Sequence, residues 1–288
     1  MPVDTTALLA DLRAESDVTE SLLAPLGPAD WDRPTPAQGW SIRDQVTHLA
    51  YFDQAATLAL LDPERFQIEA ADVIAIGAAF PDQIAEGYRR MPAADALIWF
   101  GSARATLLEA FAAADPAQRV PWYGPPMSLA TSITARLMET WAHSQDIADA
   151  LGVTRPATSR LRHIAHLGVT TMAFTHILHG LPAPDAPIRV ELAGPDGHRW
   201  TWGTDDAADQ VAGSALDFCL VVTQRRAPAD TGLRVTGDAA RTWLAIAQAF
   251  AGQPTTTPPS RRHVGAAAAS APEAAAGPEA AIRQEAGR

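Results

Sequence analysis

Apolar residues recur at helical spacing through the first half of the chain. Leu8, Leu9, Leu12, Leu22 and Leu23 predict an amphipathic helix over residues 5–26, ended by Pro25, Gly27 and Pro28. After a loop, SIRDQVTHLAYFDQAATLALL reads as a second helix whose stripe is Ile42, Val46, Leu49 and Phe52. Ser41 suits its N-cap, and Asp44, three residues on, makes a capping box. Residues 63–92 predict two shorter helices, around 68–77 and 82–90, with Pro81 between them. A third main helix fits residues 95–114, with Leu97, Phe100, Leu107, Leu108 and Phe111 as its apolar positions. PWYGPPM is turn-rich, and residues 128–151 form a long fourth helix with Gly152 at C′. Four main helices with one long connection describe a four-helix bundle.

Beyond Pro156 the pattern changes. Residues 159–179 read as one more helix, and IRVELAGPDGHRWTWG as a β-hairpin turning at Asp196-Gly197. Residues 207–226 read as an amphipathic helix, GLRVTG as a short strand and DAARTWLAIAQAFAG as a final helix. From Gln253 onward Thr, Pro, Ala and Gly dominate, which predicts a disordered tail. The expected class is α+β: a helical bundle over 1–155, a smaller α+β domain over 156–252, and the tail over 253–288.

Composition narrows the chemistry. The chain has 288 residues, 47% hydrophobic and 19% charged, enough to bury a sizeable core. The formal net charge is −11 with no basic stripe, which argues against a nucleic-acid partner. Lysine is absent, so a lysine Schiff base is excluded. Cys219 is the sole cysteine, which rules out an internal disulfide and a cysteine-rich metal site. The first residues carry acids and no basic segment before an apolar run, and no stretch has the length of a membrane span. A cytoplasmic protein is expected, acting on a small molecule, without membrane or nucleic-acid partners; the oligomeric state stays open.

Candidate chemistry centres on ARLMETWAHSQDIADA. Glu139 and His143 are four residues apart and share a helical face. Such a pair alone is often a solvated surface feature, but Leu137, Met138 and Trp141 surround it with apolar bulk. A buried carboxylate and imidazole need a partner or a metal. His48 lies mid-helix in VTHLAYF, also in apolar company, and bundles build metal sites from facing helices. His48, Glu139 and His143 together make a His2Glu set, the donor set of catalytic zinc with a fourth position open. Imidazole and carboxylate also suit nickel, iron and copper. Asp146, nearly on the same face, is a candidate to orient a ligand ring, with plain solvation as the alternative. His163, His166, His176 and His179 lack an obvious carboxylate partner and read as polar positions at a helix interface. Cys219, between Phe218 and Leu220, reads as a buried small hydrophobe. Arg43 and Asp44 read as fixing a helix start. Trp40, Trp99, Trp122 and Trp141 divide between core packing and lining a pocket above the metal.

TPAQGWSIRDQVTHLAYFD and METWAHSQDIADALG resemble the two signatures of the DinB-like, mycothiol-dependent maleylpyruvate isomerase family. The resemblance covers the bundle and extends more weakly to Gly252, where IRVEL, GPDG, WTWG and a helix ending in QRR resemble a subgroup named for wyosine base formation. It implies a DinB-like four-helix bundle followed by a small α+β domain, with His48, Glu139 and His143 as ligands of a divalent metal, zinc in the first place. It also implies an arginine of the C-terminal domain reaching toward the site. Arg225 and Arg226 are carried over as that pair, to bind a carboxylate of the substrate or thiol; the other reading is favourable cations at a helix C-terminus. The implied activity is activation of a low-molecular-weight thiol such as mycothiol, as cosubstrate, for S-transfer to a small electrophile or for its isomerisation. A zinc hydrolase using the same ligands and a non-catalytic small-ligand-binding protein are the alternatives.

Overall fold

The computed structural model describes residues 4–252 and 254–256. Four long helices form the bundle: α1 (Thr5–Leu23), α2 (Ile42–Leu61), then, after α3 (Pro63–Ala75), the 3-10 turn Gly77–Ala79 and α4 (Phe80–Tyr88), the third and fourth long helices α5 (Ala93–Ala113) and α6 (Leu129–Leu151). Both α1 and α2 pack against α5 and α6, while α3 and α4 lean on α2. The turn-rich PWYGPPM segment is pinched between two short strands, β1 (Arg119–Val120) and β2 (Met127–Ser128), paired antiparallel.

Local signals set these boundaries. Ser41 and Asp44 form the reciprocal cap of α2: the Asp44 carboxylate accepts from the Ser41 N–H at 2.7 Å, and Ser41 Oγ accepts from the Asp44 N–H at 3.3 Å. Ser128 caps α6, which ends at Gly152 with φ of +70°, a left-handed conformation glycine adopts without steric cost. Pro81 lies inside the first turn of α4 rather than between two helices, a position where its missing N–H costs nothing.

A buried ion cluster ties the bundle together. Asp53 on α2 is fully buried and accepts from Arg104 of α5 at 2.6 and 3.1 Å and from Arg136 of α6 at 3.0 Å. Arg104 also donates to Ser16 Oγ of α1 at 2.5 Å and to Thr140 Oγ1 of α6 at 2.9 Å. One carboxylate thus answers two guanidiniums, and all four long helices hold one network. Next to Ser16 on α1, buried Glu15 accepts from Arg155 and, at 2.8 Å, from Arg160, fastening the segment after α6.

The C-terminal half carries α7 (Leu161–Thr170), α8 (Met172–Leu178), β3 (Ile188–Ala193), β4 (Arg199–Trp202), β5 (Asp209–Ser214), α9 (Ala215–Val222), β6 (Arg234–Thr236) and α10 (Asp238–Ile246). The sheet order is β4-β3-β5-β6, with β3 and β5 parallel and the other pairs antiparallel. The β3–β4 hairpin turns at Gly197, φ +80°, where the sequence places it. Gly168 of α7 lies so close to α9 that a Cβ there would stand 2.8 Å from Val222.

Two sequence expectations fail here. The run from 207 is not one helix: β5 takes Asp209–Ser214 and α9 starts only at Ala215, with Ser214 Oγ accepting from the Asp217 N–H at 3.0 Å. Ala207, Val211 and Ala215 are four apart and buried, a spacing that mimics a helix stripe, but β3 pairing claims Val211 for the sheet. The single helix over 159–179 is two, α7 and α8, parted at Thr171, whose hydroxyl donates back to Leu167 O at 2.9 Å. The expected tail from Gln253 lies, apart from residues 254–256, outside the described residues; Thr255 there is bonded to Gln248 and Gln224.

Candidate metal centre

His48 stands on α2, two turns past the capping box, and Glu139 and His143 stand one turn apart on the facing helix α6. One ligand atom from each lies within 4.8 Å of the others, and among the described residues this is the group of three that can hold a metal ion. The two imidazole centroids are 4.4 Å apart. Glu139 Oε2 is 3.2 Å from His143 Nε2, and the Glu139 side chain keeps 21% of its surface exposed, so solvent reaches the site.

The rings are set by different means. His143 Nδ1 meets Gln45 Oε1, while the amide nitrogen of Gln45 donates to Thr35 Oγ1 at 2.8 Å, and Thr35 Oγ1 donates to Trp40 O at 2.9 Å. Because the Gln45 oxygen faces the ring, Nδ1 carries a proton and donates; Nε2 faces Glu139, donating to its carboxylate when the ring is doubly protonated and offering a lone pair to a cation when it is neutral. His48 Nδ1 is buried and has no hydrogen-bond partner among the described residues. An unsatisfied buried polar atom costs about 1–3 kcal/mol, so its survival here needs a reason. A metal bound by this donor set supplies one, and the His2Glu set fits a divalent ion with an open position.

Electrostatics favours the ligating forms. Burial, aided by the charges of His143, Arg136 and Arg225, lowers the His48 pKa well below the ordinary imidazole range, keeping the ring neutral. For Glu139 burial pushes upward, but the bond and charge of His143 with the charges of Arg136 and Arg225 outweigh it, and its pKa ends lowered. A neutral imidazole beside an ionised carboxylate is what a cation requires.

Aromatic rings enclose the site. The Trp40 centroid is 5.1 Å from His48 and 6.0 Å from His143, nearly parallel to the latter at 16°. Phe52 lies 4.5 Å from His48 and continues outward to Phe80, Trp122 and Tyr123 at 6.2, 6.2 and 5.7 Å. The Trp40 indole donates to Asp82 of α4 at 2.7 Å, and Arg89 donates to Gly39 O at 3.0 Å, so α4 is fastened to the loop before α2. Of the other tryptophans, Trp99 packs on Tyr88 and Trp141 under Arg155.

The remaining candidates fall outside the centre or at its edge. Arg225 Nη2 donates to Asp146 Oδ2 at 2.8 Å, and Arg226 gives two bonds to Asp149 at 2.8 and 2.9 Å. Both arginines therefore dock the C-terminal half on α6. Asp146 does not orient a ligand ring; it answers Arg225, and Gln45 does the orienting. Gln45 escaped the sequence reading although it sits three residues before His48, on the same helical face. His163 pairs with Asp11 at 2.9 Å, His166 accepts from the Trp202 indole at 3.2 Å, and His176 bonds to Met172 O at 2.8 Å. Cys219 is buried, its Sγ donating to Leu161 O at 3.4 Å, and burial pushes its thiol pKa up.

A four-helix bundle with a His2Glu cluster between α2 and α6, carrying a small mixed sheet behind it, is the DinB-like architecture. Residues 12–148 match the family model described as mycothiol maleylpyruvate isomerase N-terminal domain, and residues 184–235 match the one described as wyosine base formation. The chain belongs to the mycothiol maleylpyruvate isomerase-like family. Two Mycobacterium tuberculosis relatives, "Uncharacterized protein MT0041" of strain CDC 1551 / Oshkosh and "Uncharacterized protein Rv0036c" of strain ATCC 25618 / H37Rv, are each 48% identical over 252 residues, 87% of this chain and 98% of theirs. Among solved structures, the mycothiol-dependent maleylpyruvate isomerase matches with a TM-score of 0.56 at 13% identity, over 81% of this chain and 93% of that one. A histidine-to-alanine mutant of the same enzyme gives 0.56 and 13% over 88% and 97%. This similarity is one of fold. No helix of the described residues is long and apolar enough to cross a membrane.

Proposed function

We propose that the protein is a cytoplasmic metal-dependent enzyme that activates a low-molecular-weight thiol, mycothiol in the first place, for S-transfer to a small electrophile or for its isomerisation. The observation that carries this reading is the convergence of His48, Glu139 and His143 within 4.8 Å beside an unpartnered buried imidazole nitrogen, in a chain of this family. These three residues would hold the ion, zinc first among candidates. A divalent metal there supplies the Lewis acidity that lowers a thiol pKa and favours the thiolate.

The chain's own groups prepare that chemistry. Gln45 holds the His143 tautomer. Trp40 and Phe52 keep water from the flanks of both rings. Arg136 and Arg225, whose charges reach His48 and Glu139, favour an anion near the site. Arg225 thus contributes through its charge, and Arg226 holds the C-terminal half in place through Asp149.

Metal analysis of the wild type and of His48→Ala, Glu139→Ala and His143→Ala tests the reading. About one zinc per chain is expected, lost in each variant while circular dichroism keeps its helical signal. Mycothiol consumption by the loaded wild type, absent from the variants, completes it. Metal retained in all three variants sinks the site. Metal-dependent turnover with no thiol present moves the function to the hydrolase reading, which the same donor set suits.

A further inference from the structure

Charge and aromatic surface are unevenly placed around the three ligands. The arginines whose charges act on His48 and Glu139 are Arg136 and Arg225, and each already has a carboxylate. Arg136 lies 2.9 Å from Asp53 inside the bundle, and Arg225 lies 2.8 Å from Asp146, itself 3% exposed. Arg226, next in the chain, spends both of its terminal nitrogens on Asp149.

Outward from His48 the walls are rings. Trp40 and Phe52 are buried beside the imidazoles; Phe80, Trp122 and Tyr123 are half-buried and continue the run to solvent. The fixed charges along this run are Asp82 and Glu69, with Arg136 acting on Tyr123 from inside the bundle, where it is paired with Asp53. Asp82 sits on the Trp40 indole, and the charge of Glu69 helps raise the pKa of Tyr51 and Tyr123, after burial and the effects of neighbouring tyrosines.

We infer that the electrophile this site takes is an uncharged aromatic or otherwise apolar molecule, and not a dicarboxylate, with Phe80, Trp122 and Tyr123 as its specificity-determining walls. The inference rests on the thiol-transfer reading for the reaction but on the walls alone for the substrate class. A dicarboxylate beside Trp40 and Phe52 loses its hydration and finds Arg136, Arg225 and Arg226 already paired with carboxylates. Drawing Arg225 to itself would strand the buried Asp146 carboxylate. A flat ring finds offset and edge-on aromatic partners along the whole run.

The test uses the metal-loaded full chain, mycothiol, and two electrophiles: chlorodinitrobenzene and maleate. With the first, the thiolate sulfur bonds to the ring carbon, chloride leaves with the carbon–chlorine electron pair, and the thiol proton passes to solvent. With the second, sulfur adds to one alkene carbon and a proton from solvent to the other. Each rate is divided by the uncatalysed rate with the same thiol. The enhancement is expected to be about tenfold or more greater for the aromatic compound, and Phe80→Ala to raise its KM about fivefold with kcat and zinc content little changed. An equal or larger enhancement for maleate overturns the inference, as does an unmoved KM in Phe80→Ala. If neither compound is consumed, the thiol reading fails on its own. Tryptophan fluorescence with two unreactive probes, dinitroaniline and succinate, then decides the substrate class. Saturable dinitroaniline binding weakened in Phe80→Ala upholds it, and no such binding, or tighter succinate binding, overturns it.

Discussion

Gln45 shows how much of the candidate metal centre rests on a residue outside its three donors. Its oxygen faces His143 Nδ1 and its amide nitrogen is held by Thr35, so the ring cannot flip or change tautomer without losing a bond. Gln45→Leu keeps the volume and removes the acceptor. Zinc affinity is expected to fall about 10–100-fold, the usual cost of losing such a support, with the helical content unchanged; competition against a chromophoric chelator measures it. An affinity equal to wild type would show that the ring is held by packing against Trp40 alone. The grouping of Glu139 with His143 is legible in the sequence, because the two sit one turn apart amid Leu137, Met138 and Trp141. Their support is not, since Gln45 reads as any polar residue near a helix start until Thr35 and His143 are placed beside it.

At the level of the element, α2 carries the site because its start is fixed. Ser41 and Asp44 satisfy each other's backbone N–H, and Arg89 from the end of α4 reaches Asp44 at 3.4 Å. Ser41→Ala is expected to cost about 1 kcal/mol and to lower the melting temperature by about 2–4 °C in a thermal scan. This cap, the glycine ending α6 and the β3–β4 turn are local in the chain, and the sequence announces all three. The strand β5 is not local in that sense. Its Val211 is buried because β3 and β6 lie on either side, and a four-residue spacing of Ala207, Val211 and Ala215 suits helix and strand alike until those neighbours are known. The division of residues 159–179 into α7 and α8 is similar: threonine hydroxyls returning to carbonyls one turn back leave no mark in hydrophobic periodicity.

Across the whole molecule, the bundle is organised around Asp53. Its partners, Arg104 and Arg136, are 51 and 83 residues away, and each reads in isolation as a solvated charge on a helix face. Only the packed helices reveal that all three are buried. Asp53→Ala leaves two guanidiniums in the core without a counter-ion. A loss of about 3–5 kcal/mol is expected in urea titration, far above an ordinary surface change. A loss below about 1 kcal/mol would mean that water or Glu139 takes over the charge.

The sealed position of Cys219 has a consequence for how such unfolding can be watched. The chain's one sulfhydryl lies under α7, fully enclosed, protonated and bonded to Leu161 O. On the proposed function the protein would meet reactive electrophiles, and its native state exposes no thiol for them to alkylate. The same enclosure makes Cys219 a clock. A thiol reagent added in excess can modify it only when α7 and α9 part, so the labelling rate reads the frequency of that opening directly. Chains weakened at Asp53 can be compared with wild type by that rate, in buffer, without denaturant.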